Sequence, residues 1–243
     1  MHATEFGEVA LSGADGDHLW VLGAALQHER YEGRDVPAFD FGHWIPALFA
    51  QDDYAPHRWL TLSASARLDR HSEYGSFLSP RLSVLVRPGA WVVRASAGSG
   101  FFAPSPFTEE TEAVGLGRLL AFGGLEAERV VGAMLDVGRS VGSWELNATL
   151  FGSRVRNPLV VSPDGRGALT LSNAAAPVRT RGTELLARYR SGPIHLTATH
   201  VFTRSTESDV SGGDGRREVP LTPRHSVGDR KSTRLNSSHM SES

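Results

Sequence analysis

A strict two-residue alternation of apolar and polar side chains, recurring in segments of about ten residues, constrains this chain more than any other feature. Successive side chains of an extended strand point to opposite faces, so the pattern demands a sheet with one apolar and one polar surface. From Trp59 to His71 one face carries Leu60, Leu62, Ala64, Ala66 and Leu68, and the other Thr61, Ser63, Ser65, Arg67 and Asp69. After Ser143, Trp144, Leu146, Ala148 and Leu150 oppose Glu145, Asn147 and Thr149. After Pro193, Ile194, Leu196 and Ala198 oppose His195, Thr197 and Thr199. Weaker versions cover Leu19 to Tyr31, Pro80 to Arg87, Trp91 to Gly98, Arg129 to Arg139 and Arg181 to Arg190. Together they predict about ten or eleven strands.

The connections alternate in length. Arg87-Pro88-Gly89-Ala90, Val141-Gly142-Ser143 and Arg190-Ser191-Gly192-Pro193 read as tight turns, because Gly and Pro supply the required dihedrals. Phe101 to Gly124, Asn157 to Asn173 and Glu207 to Arg217 are long and polar or irregular, with a short helix possible over Thr108 to Leu120. Short turns on one side and long loops on the other are the habit of a barrel that crosses an outer membrane. Trp20, Trp44, Trp59, Trp91, Trp144 and Tyr189 flank the apolar runs, as a girdle of interfacial aromatics does and as ordinary strand preference also does.

Composition narrows the choice of function. Charged residues make up 21% and hydrophobic residues 40%, with a formal charge of -2, so a folded chain with no basic nucleic-acid footprint is expected. The absence of cysteine removes disulfides, thiol catalysis and zinc-thiolate sites. No apolar run reaches the roughly 18 residues of a membrane-spanning helix, and mean hydropathy is -0.23. Neither observation bears on a spanning strand, whose alternation keeps mean hydropathy low. Met1 to Phe6 lacks the basic and apolar regions of a secretory signal, so the chain is expected to be either cytoplasmic or part of a longer precursor. No repeat of fixed period points to a propeller or solenoid.

The segment from Val93 to Ser105, read VRASAGSGFFAPS, resembles the RASxGxGFRAPS motif of TonB-dependent receptor barrels, with Phe102 where that family usually has Arg. Other stations follow in family order. Leu48 to Tyr54, Ala66 to Asp69 and Ser79 to Ser83 lie upstream, and Gly124 to Arg129, Leu146 to Phe151 and Arg181 to Leu185 downstream. The resemblance implies an all-β, antiparallel transmembrane β-barrel, present in part, with about 10–11 strands of a 22-stranded barrel. It implies a receptor for active uptake of a scarce nutrient chelate, of the ferric siderophore or cobalamin type, in the Gram-negative outer membrane. The implied partners are outer-membrane lipid and lipopolysaccharide, a small-molecule nutrient ligand, and TonB through an N-terminal plug region missing here. Residues 1–228 are expected to form the partial barrel. Residues 229–243 lack alternation and resemble a translated sequencing-adapter remnant, a non-native tail set aside from the fold.

Candidate chemistry is sparse. Ten histidines are scattered without ligand spacing on any one strand face, and His195 and His200, five apart, fall on opposite faces, so no metal and no cofactor is expected. Asp69, His71 and Ser72 form a catalytic set only if their side chains converge, and no nucleophile elbow supports that, so no catalytic residue and no enzymatic activity is expected. Gly98-Ser99-Gly100 reads as a strand end, since no helix follows to complete a phosphate loop. Arg188 and Arg190 share a face with Glu184, which suggests a charge ladder toward the lumen. Ligand specificity is expected in the loops Phe101 to Gly124 and Ser205 to Arg217. A soluble all-β carbohydrate-binding module remains the alternative, and the direction in which the apolar face points separates the two: a sandwich needs large side chains to fill a core, whereas Ala64, Ala66, Ala95, Ala97 and Ala148 suit a surface that meets lipid.

Overall fold

The computed structural model describes residues 1–35, 37–107, 118–120, 123–208 and 215–233. Long strands follow one another as β1 (His2–Asp15), β2 (His18–Tyr31), β3 (Phe41–His57), β4 (Leu60–His71), β5 (Gly75–Val86), β6 (Trp91–Phe102), β7 (Glu128–Val141) and β8 (Trp144–Arg156). A small hairpin, β9 (Leu159–Pro163) and β10 (Leu169–Asn173), interrupts the series before β11 (Val178–Ser191), β12 (Ile194–Ser208), β13 (Arg216–Glu218) and β14 (His225–Thr233). The main sheet runs β1 to β8, then β11 and β12, with β13 and β14 both pairing β12. Apart from the β8–β11 and β12–β14 pairs, each strand of the sheet pairs antiparallel with its neighbour in sequence, the arrangement that hairpin connections permit.

Which face is covered decides the fold class. Along β3, Phe41, His43, Ile45, Ala47 and Phe49 are sheltered, whereas Gly42, Trp44, Pro46, Leu48 and Ala50 stand exposed. In β4 the sheltered side holds Ser63, Ser65, Arg67, Asp69 and His71, with Asp69 only 5% and His71 3% exposed. The opposite side leaves Leu62 and Leu68 open, joined across the ladder by Leu48, Leu82 and Leu150 at 63%, 64% and 54% exposure. Water-soluble sheets pack the apolar face and expose the polar one. Here the order is inverted, as in a barrel wall whose outer surface meets hydrocarbon and whose lumen is polar. A soluble carbohydrate-binding sandwich, which packs two apolar faces together, is therefore set aside.

Backbone approach shapes the wall at two glycines. A Cβ on Gly182 of β11 would collide with the Phe151 ring and the Phe202 carbonyl, and one on Gly98 of β6 would sit 3.0 Å from the Pro80 carbonyl oxygen. The β5–β6 ladder ends at the pair Arg81–Gly98, just where Pro80 has no N–H to offer. Phe77 and Phe101 fill the space between the parting strands, stacked at 3.9 Å with the Arg129 guanidinium 4.9 Å from the Phe77 ring. The motif continues from Phe101 through Pro104, whose side chain is fully buried.

The strands differ from expectation in three places. β1 carries only weak alternation and sits on the edge of the sheet, exposed on both faces. Within the long connection Asn157 to Asn173 the chain forms the β9–β10 hairpin, too short for a periodic signal. β14 crosses the expected boundary at 228/229 and runs to Thr233 against Ile194, because the free edge of β12 pairs with any extended backbone, alternating or not. Of the short helix expected over Thr108 to Leu120, residues 108–117 lie outside the described residues.

In plain buffer the exposed leucine face should drive association, so we expect the chain to sediment as aggregates in water and to stay dispersed only in detergent or lipid. Sedimentation velocity with thermal unfolding checks this; a soluble monomer with a sharp, reversible melt is the contrary outcome. Leu150→Arg, at mid-height on the apolar face, should cost about 2–4 kcal/mol of stability in a bilayer, whereas Ser65→Arg on the polar face should be nearly neutral.

Candidate functional site

The two ends of the sheet are unlike. Tight turns at Gly16, Gly89, Gly142 and Gly192, each with positive φ, close one end. Trp20, Trp59, Trp91, Trp144 and Tyr189 collect there, with the Trp144 and Tyr189 rings 4.9 Å apart and Arg139 4.7 Å from the Trp91 ring. At the other end lie the long connections, which pack on one another. Phe39, from a single 3-10 turn at Pro37–Phe39, clusters with Leu119, Leu169 and Leu171, and Leu119 bridges Leu169. Asn173 ties three connections together: its amide donates to the carbonyls of Glu126 and Asn157, and its Oδ1 accepts from the Glu126 N–H.

Beneath these loops, on the sheltered face, strand ends bring together an aromatic and imidazole cluster. Phe41 stacks on His43 at 4.8 Å, His43 lies 4.6 Å from His71, and Tyr74 stands 4.9 Å from His71. Phe107, arriving from the β6–β7 connection, stacks on His2 at 5.1 Å and meets Tyr31 edge-on at 4.7 Å. Its members come from β1, β2, β3, β4 and two connections, so only the register of the sheet assembles them.

Hydrogen bonding fixes the imidazoles. His71 Nδ1 accepts the backbone N–H groups of Glu73 (3.2 Å) and Tyr74 (3.3 Å), which leaves the proton on Nε2. His43 Nε2 lies 3.5 Å from the Glu73 carboxylate. Burial and the neighbouring Glu73 carboxylate push the Tyr74 phenol up to about 12, so it stays a neutral donor across the ordinary alkaline range. Such a set offers ring faces and donors for noncovalent recognition.

The other sequence candidates separate. Asp69 accepts from Arg67 Nε at 2.8 Å, Ser72 Oγ accepts from the Trp44 N–H at 3.2 Å, and His71 Nδ1 is taken by the backbone, so the three do not form a proton relay. Gly98-Ser99-Gly100 lies inside β6. His195 and His200 occupy opposite faces of β12, opposite Arg190 and Leu185. Arg188 reaches Glu145 across the ladder at 3.1 Å on the sheltered face that also holds Glu184. Spacing along one strand missed the approach of His43 to His71, which comes from neighbouring strands. No group of three or more His, Asp or Glu suited to a metal ion occurs among the described residues.

His71→Ala removes the acceptor of two sheltered N–H groups and should cost about 1–3 kcal/mol. His71→Asn, whose Oδ1 takes the place of Nδ1, should recover part of it, as read from urea midpoints of the lipid-refolded protein.

Comparison with known proteins agrees with this geometry. Residues 14–234 match the family model described as TonB dependent receptor-like, beta-barrel. Among solved structures, the siderophore receptor PirA from Pseudomonas aeruginosa is similar at TM-score 0.71 and 22% identity, covering 84% of this chain and 42% of its own. The ferric enterobactin receptor PfeA from the same organism, as a G324V mutant, gives TM-score 0.72 and 16% identity over 97% of this chain and 39% of its own. The FrpB iron transporter from Neisseria meningitidis gives 0.67 and 16% over 84% and 35%. The chain thus spans well under half the length of these structures. No curated protein matches it.

Proposed function

The chain belongs to the TonB-dependent receptor β-barrel family, and from that membership we propose that it is part of the wall of an outer-membrane receptor that takes up a scarce nutrient chelate. The observation that carries this reading is the inverted polarity of the sheet, with leucines outward and Ser, Arg, Asp and His sheltered. Barrels of this family are outer-membrane proteins, and in this chain the leucine face meets lipid, including lipopolysaccharide in the outer leaflet. The loop end faces the cell exterior and the turn end the periplasm.

The ligand is a small molecule, and a ferric siderophore fits better than cobalamin. A siderophore receptor, a ferric enterobactin receptor and an iron transporter all share this fold. The aromatic and imidazole cluster under the loops is the first wall a ligand meets on entering from outside, and ring stacking suits a rigid, unsaturated chelate. TonB acts through an N-terminal plug domain and makes no contact with these strands. No covalent chemistry is involved.

Two measurements test this. When the chain is refolded into vesicles of brominated phosphatidylcholine, the exposed Trp91 and Trp144 should be strongly quenched; unquenched tryptophan emission would remove the membrane reading. In a receptor carrying this wall, expressed in a strain lacking siderophore uptake, radioiron accumulation from a panel of ferric siderophores should exceed background. Tyr31→Ala with Phe41→Ala should weaken binding about ten-fold, since each ring contact contributes about 0.5–1.5 kcal/mol. Failure with every ferric chelate would refute the ligand class.

A further inference from the structure

The aromatic and imidazole cluster under the loops carries a charge of definite sign. His2 Nε2 lies 3.1 Å from the Glu29 carboxylate, and His43 Nε2 lies 3.5 Å from that of Glu73. Each imidazole, protonated or not, neutralises at most the carboxylate it faces. His71 adds no charge, because its Nδ1 accepts the backbone N–H groups of Glu73 and Tyr74 and so bears no proton. Tyr74 stays a neutral phenol with the Glu73 carboxylate beside it. Over these groups the cluster ranges from two negative charges to none and is never positive.

Arginine does not reverse this. Among the described residues the arginine–ring contacts fall on Phe49, Phe77 and Trp91, and none falls on a ring of the cluster. Strand alternation is the cause. Arg30 of β2 sits between Glu29 and Tyr31, and Arg70 of β4 between Asp69 and His71; those neighbours take the sheltered face and leave both arginines exposed on the other. At the loop end of β8, β11 and β12, Arg154, Arg179, Arg181 and Arg204 also occupy the leucine face. Of the arginines on the sheltered face, Arg67 is matched to Asp69 and Arg217 to Glu207, both at 2.8 Å. The connection that joins Tyr31 to Phe41 sets Glu32, Asp35 and Asp40 against Arg34 alone.

A solute arriving over the cluster therefore meets carboxylates without a competing cation. Glu29 is only 24% exposed, so water and salt screen it less than a surface carboxylate. Ring faces act in the same direction, since the aromatic quadrupole attracts a cationic group and repels an anion. Ferric chelates divide along this line. A tris-catecholate complex of trivalent iron is trianionic, a tris-hydroxamate is neutral, and a tris-hydroxamate with a pendant amine is a cation. Hydroxamate units are planar and conjugated, so ring faces stack on them as well. We propose that Glu29 and Glu73 are the charge-selecting residues of this mouth, and that its ligand is a hydroxamate-type ferric chelate bearing a cationic group, with the trianionic tris-catecholate refused. The inference rests on the reading that a ferric siderophore enters over this cluster, and it adds the charge of the chelate and the residues that read it.

The test varies charge on a single chelate. Radioiron complexes of desferrioxamine B, its N-acetyl derivative and its N-succinyl derivative share one tris-hydroxamate core and are cationic, neutral and anionic. Ferric enterobactin supplies the trianionic case. Equilibrium binding is measured on outer-membrane vesicles from cells expressing a receptor that carries this wall, at low and raised ionic strength, against vesicles lacking it. The cation should bind about ten-fold tighter than its anionic sibling at low salt, a difference of ~1.4 kcal/mol, with the neutral form between them. Raised salt should compress the spread. Glu29→Gln with Glu73→Gln should bring the cation-to-anion ratio near one and leave affinity for the neutral derivative within about two-fold. The Glu73 N–H that His71 accepts is a backbone group and survives this change. A variant that merely misfolds loses all three derivatives together; Glu73→Gln alone, at an exposed turn carboxylate, should then still lower the ratio about three-fold. Equal or tighter binding of the anionic derivative or of ferric enterobactin by the wild type, or a ratio that survives these substitutions, overturns the charge rule and leaves the siderophore reading standing. Wild-type vesicles that bind none of the four complexes overturn that reading, and the charge rule with it.

Discussion

Everything in this structure depends on the antiparallel ladder. A backbone that borders hydrocarbon has no water to satisfy its N–H and C=O groups, and each one left unpaired costs several kcal/mol. From β1 through β8, β11 and β12 adjacent long strands pair along most of their length, except where β5 and β6 part beyond Arg81 and Gly98, so that cost is avoided over most of the wall. With the backbone satisfied by strands, the side chains are free to be apolar on one face and polar on the other. The inverted polarity follows from this, and so does the ordering of chemistry by height: aromatics at the turns, aliphatics in the middle, arginines and imidazoles toward the loops.

The same constraint explains why the polar groups of the wall are either committed or crowded. Asp69 and Arg67 neutralise one another on the sheltered face, as do Arg188 and Glu145. His71 uses its acceptor to hold the three-residue β4–β5 turn. These pairs neutralise part of the charge that the sheltered face carries. On the outer side Arg154 faces Arg179 and Arg181 faces Arg204, like charge against like.

Much of the wall was legible in the sequence, because the property that builds a spanning strand is local. Leu60 to Asp69 and Trp144 to Leu150 state their faces within ten residues, and Gly89, Gly142 and Gly192 mark the turns between them. The assembled site was not legible. His43 and His71 are far apart in the chain, and nothing in either strand states which residue of its neighbour it will meet; that is a property of register, set jointly by turn length and by the bulge near Tyr54 and His57. The arginine pairs were hidden for the same reason. An enrichment of arginine in the C-terminal third was visible, but whether Arg181 faces Glu184 or Arg204 depends on strand parity and partner. Edge strands failed differently: β1 is exposed on both faces, so neither face was held to an apolar or polar pattern that could be read.

An edge is also where the physics leaves a demand. The sheet runs from β1 to β12 with β14 beyond it and does not close, so the outer N–H and C=O groups of β1 and β14 have no ladder partner among the described residues. In water such edges are tolerated because solvent satisfies them; in hydrocarbon they are not. In a bilayer the edge strands of such a wall must pair with further strands, whether of the same receptor or of a second copy, and the cylinder so closed encloses a lumen. The sheltered polar face then has its explanation. It is too hydrophilic to be a core and too enclosed to be an ordinary surface, which is the character of a barrel's polar lumen.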